Sequence, residues 1–325
     1  MSKRAYDILI VGELNVDILV KGNVEPSFGQ VEKLVGSLEV CGGGSAAIFA
    51  AAAARLGLRV LFASIVGDDI FGRLMLDVMT AAGVDVSQVA VDPALSTGAT
   101  IHLLRDDGDR AMLTDLGSIA EITIDLVDPD WYHAARHLHV ASPFLLQGLY
   151  PSMPGMMRRA KRAGMTVSLD TNWDPAERWR LPGFFEHLDI LLPNENELLA
   201  IAKQPDLDAA LAAILGRTPI MAVKQGARGA LGAQGAARIQ APAFAVDVQD
   251  TTGAGDTFDA GFLAAWLSGG TLEQALILGS ACAALTATRV GGFNGQPGWD
   301  EALALIEAQA PAHAPGLRAL RAWRG

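Results

Sequence analysis

Short apolar runs rich in β-branched residues recur along the chain, separated by stretches whose apolar positions return every three or four residues. The runs at 8–11, 60–66, 137–141, 166–169, 190–192 and 220–223 predict buried strands, apolar on both faces. The longer period predicts helices over 45–56, 69–82 and 153–163. Ser45 is placed to cap the first, with Gly57 just past its end; Gly83 and Gly164 stop the other two. Strand and helix alternating at this spacing predict a parallel sheet covered on both faces. Residues 14–40 and 97–115 break the rhythm. They alternate polar with apolar and carry turns such as Arg105–Arg110, which predicts two hairpin-like insertions forming a small β-lid. One α/β unit over 1–325 with a lid accounts for the pattern better than two equal domains.

Composition narrows the function. Half of the 325 residues are hydrophobic and no low-complexity run occurs, which excludes disorder. Cys41 and Cys282 are the only cysteines, which excludes a disulfide scaffold and fits a reducing compartment. The 36 acidic against 25 basic side chains give a formal charge of −11, which argues against nucleic acid as the partner. The longest apolar stretch, 46–54, is about half a bilayer span, and Lys3 and Arg4 precede too short an apolar run for a signal peptide. The expectation is a cytoplasmic protein with no membrane partner.

Common catalytic motifs are missing. Residues 67–74 lack the Lys and hydroxyl of a phosphate-binding loop, no GxGxxG follows the first strand, and neither GxSxG nor HExxH occurs. His102, His133, His137 and His139 share no ligand spacing and read as packing or surface residues.

The segment that carries chemistry is Asp250-Thr251-Thr252-Gly253-Ala254-Gly255-Asp256-Thr257-Phe258, followed by an apolar helical run. Two glycines allow a tight turn with N–H groups pointing one way, and a helix starting near Asp256 adds its positive end. An anion hole beside a carboxylate has the parts for phosphoryl transfer: a cradle for the moving group and an acceptor for the hydroxyl proton. Alone, the same pattern is a helix cap.

The nine residues resemble the C-terminal signature of the ribokinase-like carbohydrate kinases, the PfkB family. The resemblance implies a three-layer α/β fold with a mostly parallel central sheet and a small β-sheet lid. It implies Asp256 as catalytic base and the N–H groups of Gly253, Ala254, Gly255 and Asp256 as the anion hole. A carboxylate at a helix N-terminus is expected to have a low pKa. Other segments resemble the family along nearly the whole chain. Gly12-Glu13-Leu14-Asn15-Val16-Asp17 is similar to its opening turn, with Asp17 and Asn15 on substrate hydroxyls, and Gly42-Gly43-Gly44-Ser45 to its glycine motif, with Gly43, Gly44 and Ile48 at substrate. Asn194-Glu195-Asn196-Glu197 resembles an NxxE motif that arranges Mg²⁺ and its waters through Asn194 and Glu197; alone it reads equally as a helix cap. Lys224-Gln225-Gly226-Ala227-Arg228-Gly229 resembles the stretch along the ATP phosphates, with Lys224, Gly226 and Gly229 toward nucleotide. Asp250 and Thr252 match positions that hold a monovalent cation such as K⁺, its other half falling near 289–295.

Departures from the family pattern fall on the substrate side. Ile48 and Ile119 stand where Asn is usual, Ala141 replaces a Glu, and Asp170-Thr171-Asn172-Trp173-Asp174 lacks an Arg of fructokinase-like members. Polar contacts in a pocket discriminate strongly, so ribose itself is disfavoured. The implied function is an ATP- and Mg²⁺-dependent kinase acting on a hydroxymethyl group of a sugar-like small molecule. A nucleoside kinase of the same family and a non-catalytic sugar-binding protein are the alternatives. A lid with an apolar outer face predicts a homodimer through that lid.

Overall fold

A computed structural model describes residues 4–107 and 109–322. Lys3 and Gly108, used in the sequence reading, lie outside the described residues. In chain order the strands are β1 Tyr6–Val11, β2 Asn15–Lys21, β3 Ser37–Gly43, β4 Val60–Gly67, β5 Asp85–Asp92, β6 Ala99–Leu104, β7 Arg110–Asp115, β8 Ala135–Ala141, β9 Thr166–Asp170, β10 Ile190–Leu191, β11 Ile220–Lys224, β12 Ala230–Gln234 and β13 Ala237–Ala241. The helices are α1 Ser45–Arg55, α2 Ile70–Ala81, α3 Trp131–Ala134, α4 Met153–Arg162, α5 Glu195–Ala202, α6 Leu207–Leu215, α7 Ala254–Leu267, α8 Leu272–Thr286, α9 Trp299–Gln309 and α10 Ala314–Ala322.

The large sheet has nine strands in the order β13-β12-β11-β10-β9-β8-β1-β4-β5. It is parallel from β11 to β5, and the β11-β12-β13 edge is antiparallel. Alternation along β1 sends Ile8 and Ile10 into one apolar core and Leu9 and Val11 into the other. The first core also takes in α1, α7 and α8, and the second takes in α4, α5 and α6. All six expected strands appear within this sheet. The expected helices also appear, each ending a residue short of the predicted stop.

The cap of α1 differs from the expectation. Ser45 lies inside the helix, and the capping position is Gly44, without a side-chain bond. Glu13, from the end of β1, accepts from the Ala46 N–H at 3.2 Å. A carboxylate distant in sequence thus does what a local hydroxyl was expected to do.

The second sheet has four strands, β3-β2-β6-β7, drawn from the two stretches that broke the rhythm. β2 pairs with β3 antiparallel and with β6 parallel. No strand forms between Gly22 and Gly36. Among the described residues, no helix is long and apolar enough to cross a membrane.

Candidate active site

The turn leaving β1 and the end of β3 build one wall. Register pairs Asn15 with Gly43 and Asp17 with Cys41. Asn15 Nδ2 donates to Asp17 Oδ1 at 3.2 Å, and both side chains are buried. A Cβ on Gly43 would stand 2.1 Å from Asp17 Oδ1, so only glycine lets the strand pass this carboxylate. Gly44 adjoins Asn15 Oδ1, and the structure therefore brings Asn15, Asp17, Gly43 and Gly44 together. Ile48 does not extend this polar wall. Its side chain is buried against the backbone at Gly253 and Gly292.

Gly253 opens the opposite wall. It caps α7 with φ of 72°, and a Cβ there would lie 2.7 Å from Gly292 Cα. The helix begins at Ala254, two residues before the expected start. The Ala254 N–H turns back to Thr251 O at 3.2 Å, whereas no backbone acceptor among the described residues meets the N–H groups of Gly253, Gly255 and Asp256. Of the four N–H groups expected to form an anion hole, three are thus free of backbone acceptors among the described residues and that of Ala254 is not.

Asp256, in the first turn of α7, is buried and accepts from Asn172 Nδ2 at 3.4 Å. Burial, with the Asp170 and Glu13 carboxylates nearby, pushes its carboxyl up to about 7 against the pull of Lys224. This reverses the low value expected from the helix end. Desolvation of a wholly buried charge exceeds what a helix terminus supplies.

The sequence did not reveal the charged cluster beneath Asp256. Lys224, at the end of β11, donates to Asp170 Oδ2 at 2.7 Å and to Asp259 Oδ2 at 3.1 Å. Its ammonium lies 3.6 Å from where a Gly255 Cβ would stand, directly under the loop. Burial lifts the Asp259 carboxyl well above the ordinary range, and Asp170 adds to that rise while Lys224 opposes it. Burial favours the neutral Lys224 amine, but Asp170 and Asp259 overcome it and hold the lysine charged. The available signal was Asp259 itself, a second acid three residues after Asp256 in a helix that is otherwise mostly apolar. Lys224, expected to face nucleotide, has its ammonium engaged by these two carboxylates.

Asn194 and Glu197 form a reciprocal cap at the start of α5. Asn194 Oδ1 accepts from the Glu197 N–H at 2.9 Å, and Glu197 Oε2 accepts from the Asn194 N–H at 2.8 Å. Glu197 Oε1 takes the Asn194 amide at 2.6 Å. Burial, with Asp170 nearby, pushes the Glu197 carboxyl up to about 7. Among the described residues, no three His, Cys, Asp or Glu side chains converge as a metal cage. The donors present suit a Mg²⁺ ion held mainly by phosphate and water, with carboxylates ordering the waters. On the next turn, Gly226 is open around its α-carbon, whereas a Cβ on Gly229 would strike Ala241 O at 2.1 Å. Gly229 therefore serves close packing against β13.

Asp250 ties two loops. Oδ1 accepts from the Thr252 N–H and hydroxyl at 2.9 and 2.8 Å, and Oδ2 accepts from the Gly291 N–H at 2.9 Å. Burial alone would raise its carboxyl, but these donors hold it below the ordinary value. The lid's Arg110 reaches across to Thr252 Oγ1 at 3.3 Å. Asp174, standing where an Arg was expected, accepts from the N–H groups of Ala176, Arg178 and Trp179 and so shapes its own loop. Asn172, with φ of 48°, links that loop to Ser142 and to Asp256.

A buried carboxyl at a helix start with free N–H groups, in a fold that carries a small β-sheet beside its large one, has the parts of a phosphotransferase that acts on an alcohol. The sequence matches the family described as pfkB family carbohydrate kinase over residues 6–298, and the chain belongs to that family. The ATP-dependent ribose-1-phosphate kinase of Halopiger xanaduensis is 34% identical over 293 residues, covering 87% of this chain and 93% of that protein. The Arabidopsis thaliana ribokinase solved with ribose and ATP superposes with a TM-score of 0.81 at 25% identity, over 93% of this chain and 99% of that one. An Escherichia coli protein solved with ATP and Mg²⁺ gives 0.83 at 25% identity, over 94% and 100%.

Proposed function

We propose that this protein transfers the γ-phosphoryl group of ATP to a hydroxymethyl group of a sugar or sugar derivative, with Asp256 as the base. The observation that carries the reading is Asp256 beside three unpaired backbone N–H groups, its carboxyl held at about 7. A base with a pKa near neutrality is ionised when substrate arrives and still basic enough to take a proton. The acceptor hydroxyl gives its proton to Asp256 while the N–H groups of Gly253, Gly255 and Asp256 meet the charge on the transferring group. Asn172 holds the Asp256 carboxyl in place, and Lys224 lends positive charge from below the loop. Asn15 and Asp17 bind hydroxyls at the far side of the acceptor.

The relatives solved with nucleotide and metal support ATP and Mg²⁺ as cofactors. Bound Mg²⁺ would neutralise phosphate charge, with Asn194 and Glu197 ordering its waters and Gly226 lying along the phosphates. Asp250 and Thr252 are proposed to border a monovalent-cation site, which replacing K⁺ with a bulky organic cation in the assay would test. The named ribose-1-phosphate kinase adds sugar 1-phosphates to the neutral sugars as acceptors to be tried.

The test is ADP release with MgATP across ribose, ribose 1-phosphate, fructose, sugar acids and adenosine. One acceptor should dominate, and Asp256→Asn should lower kcat by about a thousandfold on it. Undiminished turnover in that variant would remove Asp256 from the reaction. Turnover of adenosine alone would favour the nucleoside kinase.

A further inference from the structure

His102 lies on β6 within the lid. Register pairs Asp17 with Thr100, and alternation puts Thr100 and His102 on the same face of the small sheet as Asp17. The imidazole is only 6% exposed. Its Nε2 stands 3.3 Å from Asp17 Oδ2, yet neither ring nitrogen is aligned with a hydrogen-bond partner among the described residues. Other neighbouring polar atoms are already engaged, Asp17 Oδ2 excepted. Thr100 and Thr114 share a hydroxyl contact at 3.1 Å, and Asn15 holds Asp17 Oδ1. Buried polar atoms are rarely left unpaired, and an unpaired one needs a reason. The apolar Ile48, Ile119 and Ala141 occupy positions where polar substrate contacts were expected, so other side chains must read the substrate's hydroxyls.

We propose that His102 is a specificity-determining residue that binds the substrate alongside Asp17, the pair gripping two adjacent hydroxyls of a vicinal diol. The 3.3 Å between Nε2 and Oδ2 suits one ring nitrogen and one carboxylate oxygen meeting neighbouring hydroxyls. The substrate's oxygens complete the imidazole's hydrogen bonding, which the folded chain leaves open. This inference rests on Asp17 being a substrate residue, as in the proposed function. It makes the substrate class a sugar with an intact diol on the ring side away from the reacting hydroxymethyl group.

Matched pairs of acceptors test it: ribose against 2-deoxyribose, and ribose 1-phosphate against 2-deoxyribose 1-phosphate. Both kcat/KM and the sugar-induced rise in Tm without nucleotide would be measured for wild type, His102→Leu and His102→Gln. Wild type should prefer the diol-bearing member of the pair it accepts by at least about tenfold, the scale of one well-made hydrogen bond to a buried partner. His102→Leu should shrink that preference about tenfold, mainly through KM, without lowering Tm in the absence of sugar, because it removes unpaired buried nitrogens. His102→Gln should keep an intermediate preference. Equal losses on both members of a pair, or an undiminished preference in His102→Leu, would overturn the proposal. Should His102→Leu not fold, His102→Gln decides by the same ratio. If no acceptor yields ADP, the kinase reading fails on its own, and the Tm shifts still judge His102.

Discussion

At Asp256, one side chain carries both the chemistry and a cost. Its carboxyl is pushed up to about 7 by burial among other acids. Activity should therefore fall as pH drops below about 7, because the protonated group accepts no proton; the acid limb of kcat/KM against pH checks this. Stability runs the other way. The folded state binds this proton more tightly than the unfolded chain, so the contribution of Asp256 is most favourable below the ordinary aspartate range. It diminishes as pH rises from about 4 to about 7. Asp256→Asn should accordingly raise Tm by roughly 5 °C at pH 8 while lowering kcat about a thousandfold, a pairing that separates a catalytic loss from unfolding. Lys224 behaves oppositely. Lys224→Met leaves Asp170 and Asp259 buried without their shared cation and should destabilise the protein by about 3–5 kcal/mol in denaturant titration.

At the scale of elements, helix starts are where the candidate site is assembled. Gly253 at the head of α7 turns three N–H groups outward, and its positive φ excludes a side chain. Gly253→Ala should lower kcat by more than about tenfold, since the methyl meets Gly292 and shifts the donors. At the head of α5, Asn194 and Glu197 are a cap in geometry and a Mg²⁺-ordering pair in the proposed reaction. Asn194→Ala should cost about 1 kcal/mol of stability as a cap. A larger loss in kcat/KM than that cost explains, relieved by raising Mg²⁺, would mark the second role. The first glycine turn and the nine-residue signature were legible because each depends on contiguous residues. The cap of α1 by Glu13 was not, because the two meet only when β1 packs beside α1.

For the whole molecule, the lid decides what is covered and what is left exposed. One face of its sheet carries Asp17, Thr100 and His102. The other carries Leu38, Val40, Ile101 and Leu113, four large apolar side chains that remain solvent-accessible. Such a patch is costly to leave in water. We expect two lids to pack together in a homodimer, and Leu113→Glu should convert dimer to monomer in sedimentation at micromolar concentration. A wild-type monomer under those conditions would remove the expectation.

The sequence by itself determined the strand–helix alternation, the two lid insertions, the glycine turns and the placement of Asp256 after them. These follow from periodicity and from backbone freedom, which act over a few neighbouring residues. Tertiary structure alone decided the raised Asp256 carboxyl, the Lys224–Asp170–Asp259 cluster, the Asn172 contact and the approach of His102 to Asp17. Each of these joins strands or helices far apart in the chain. Burial and charge proximity arise only when those elements close around the same space.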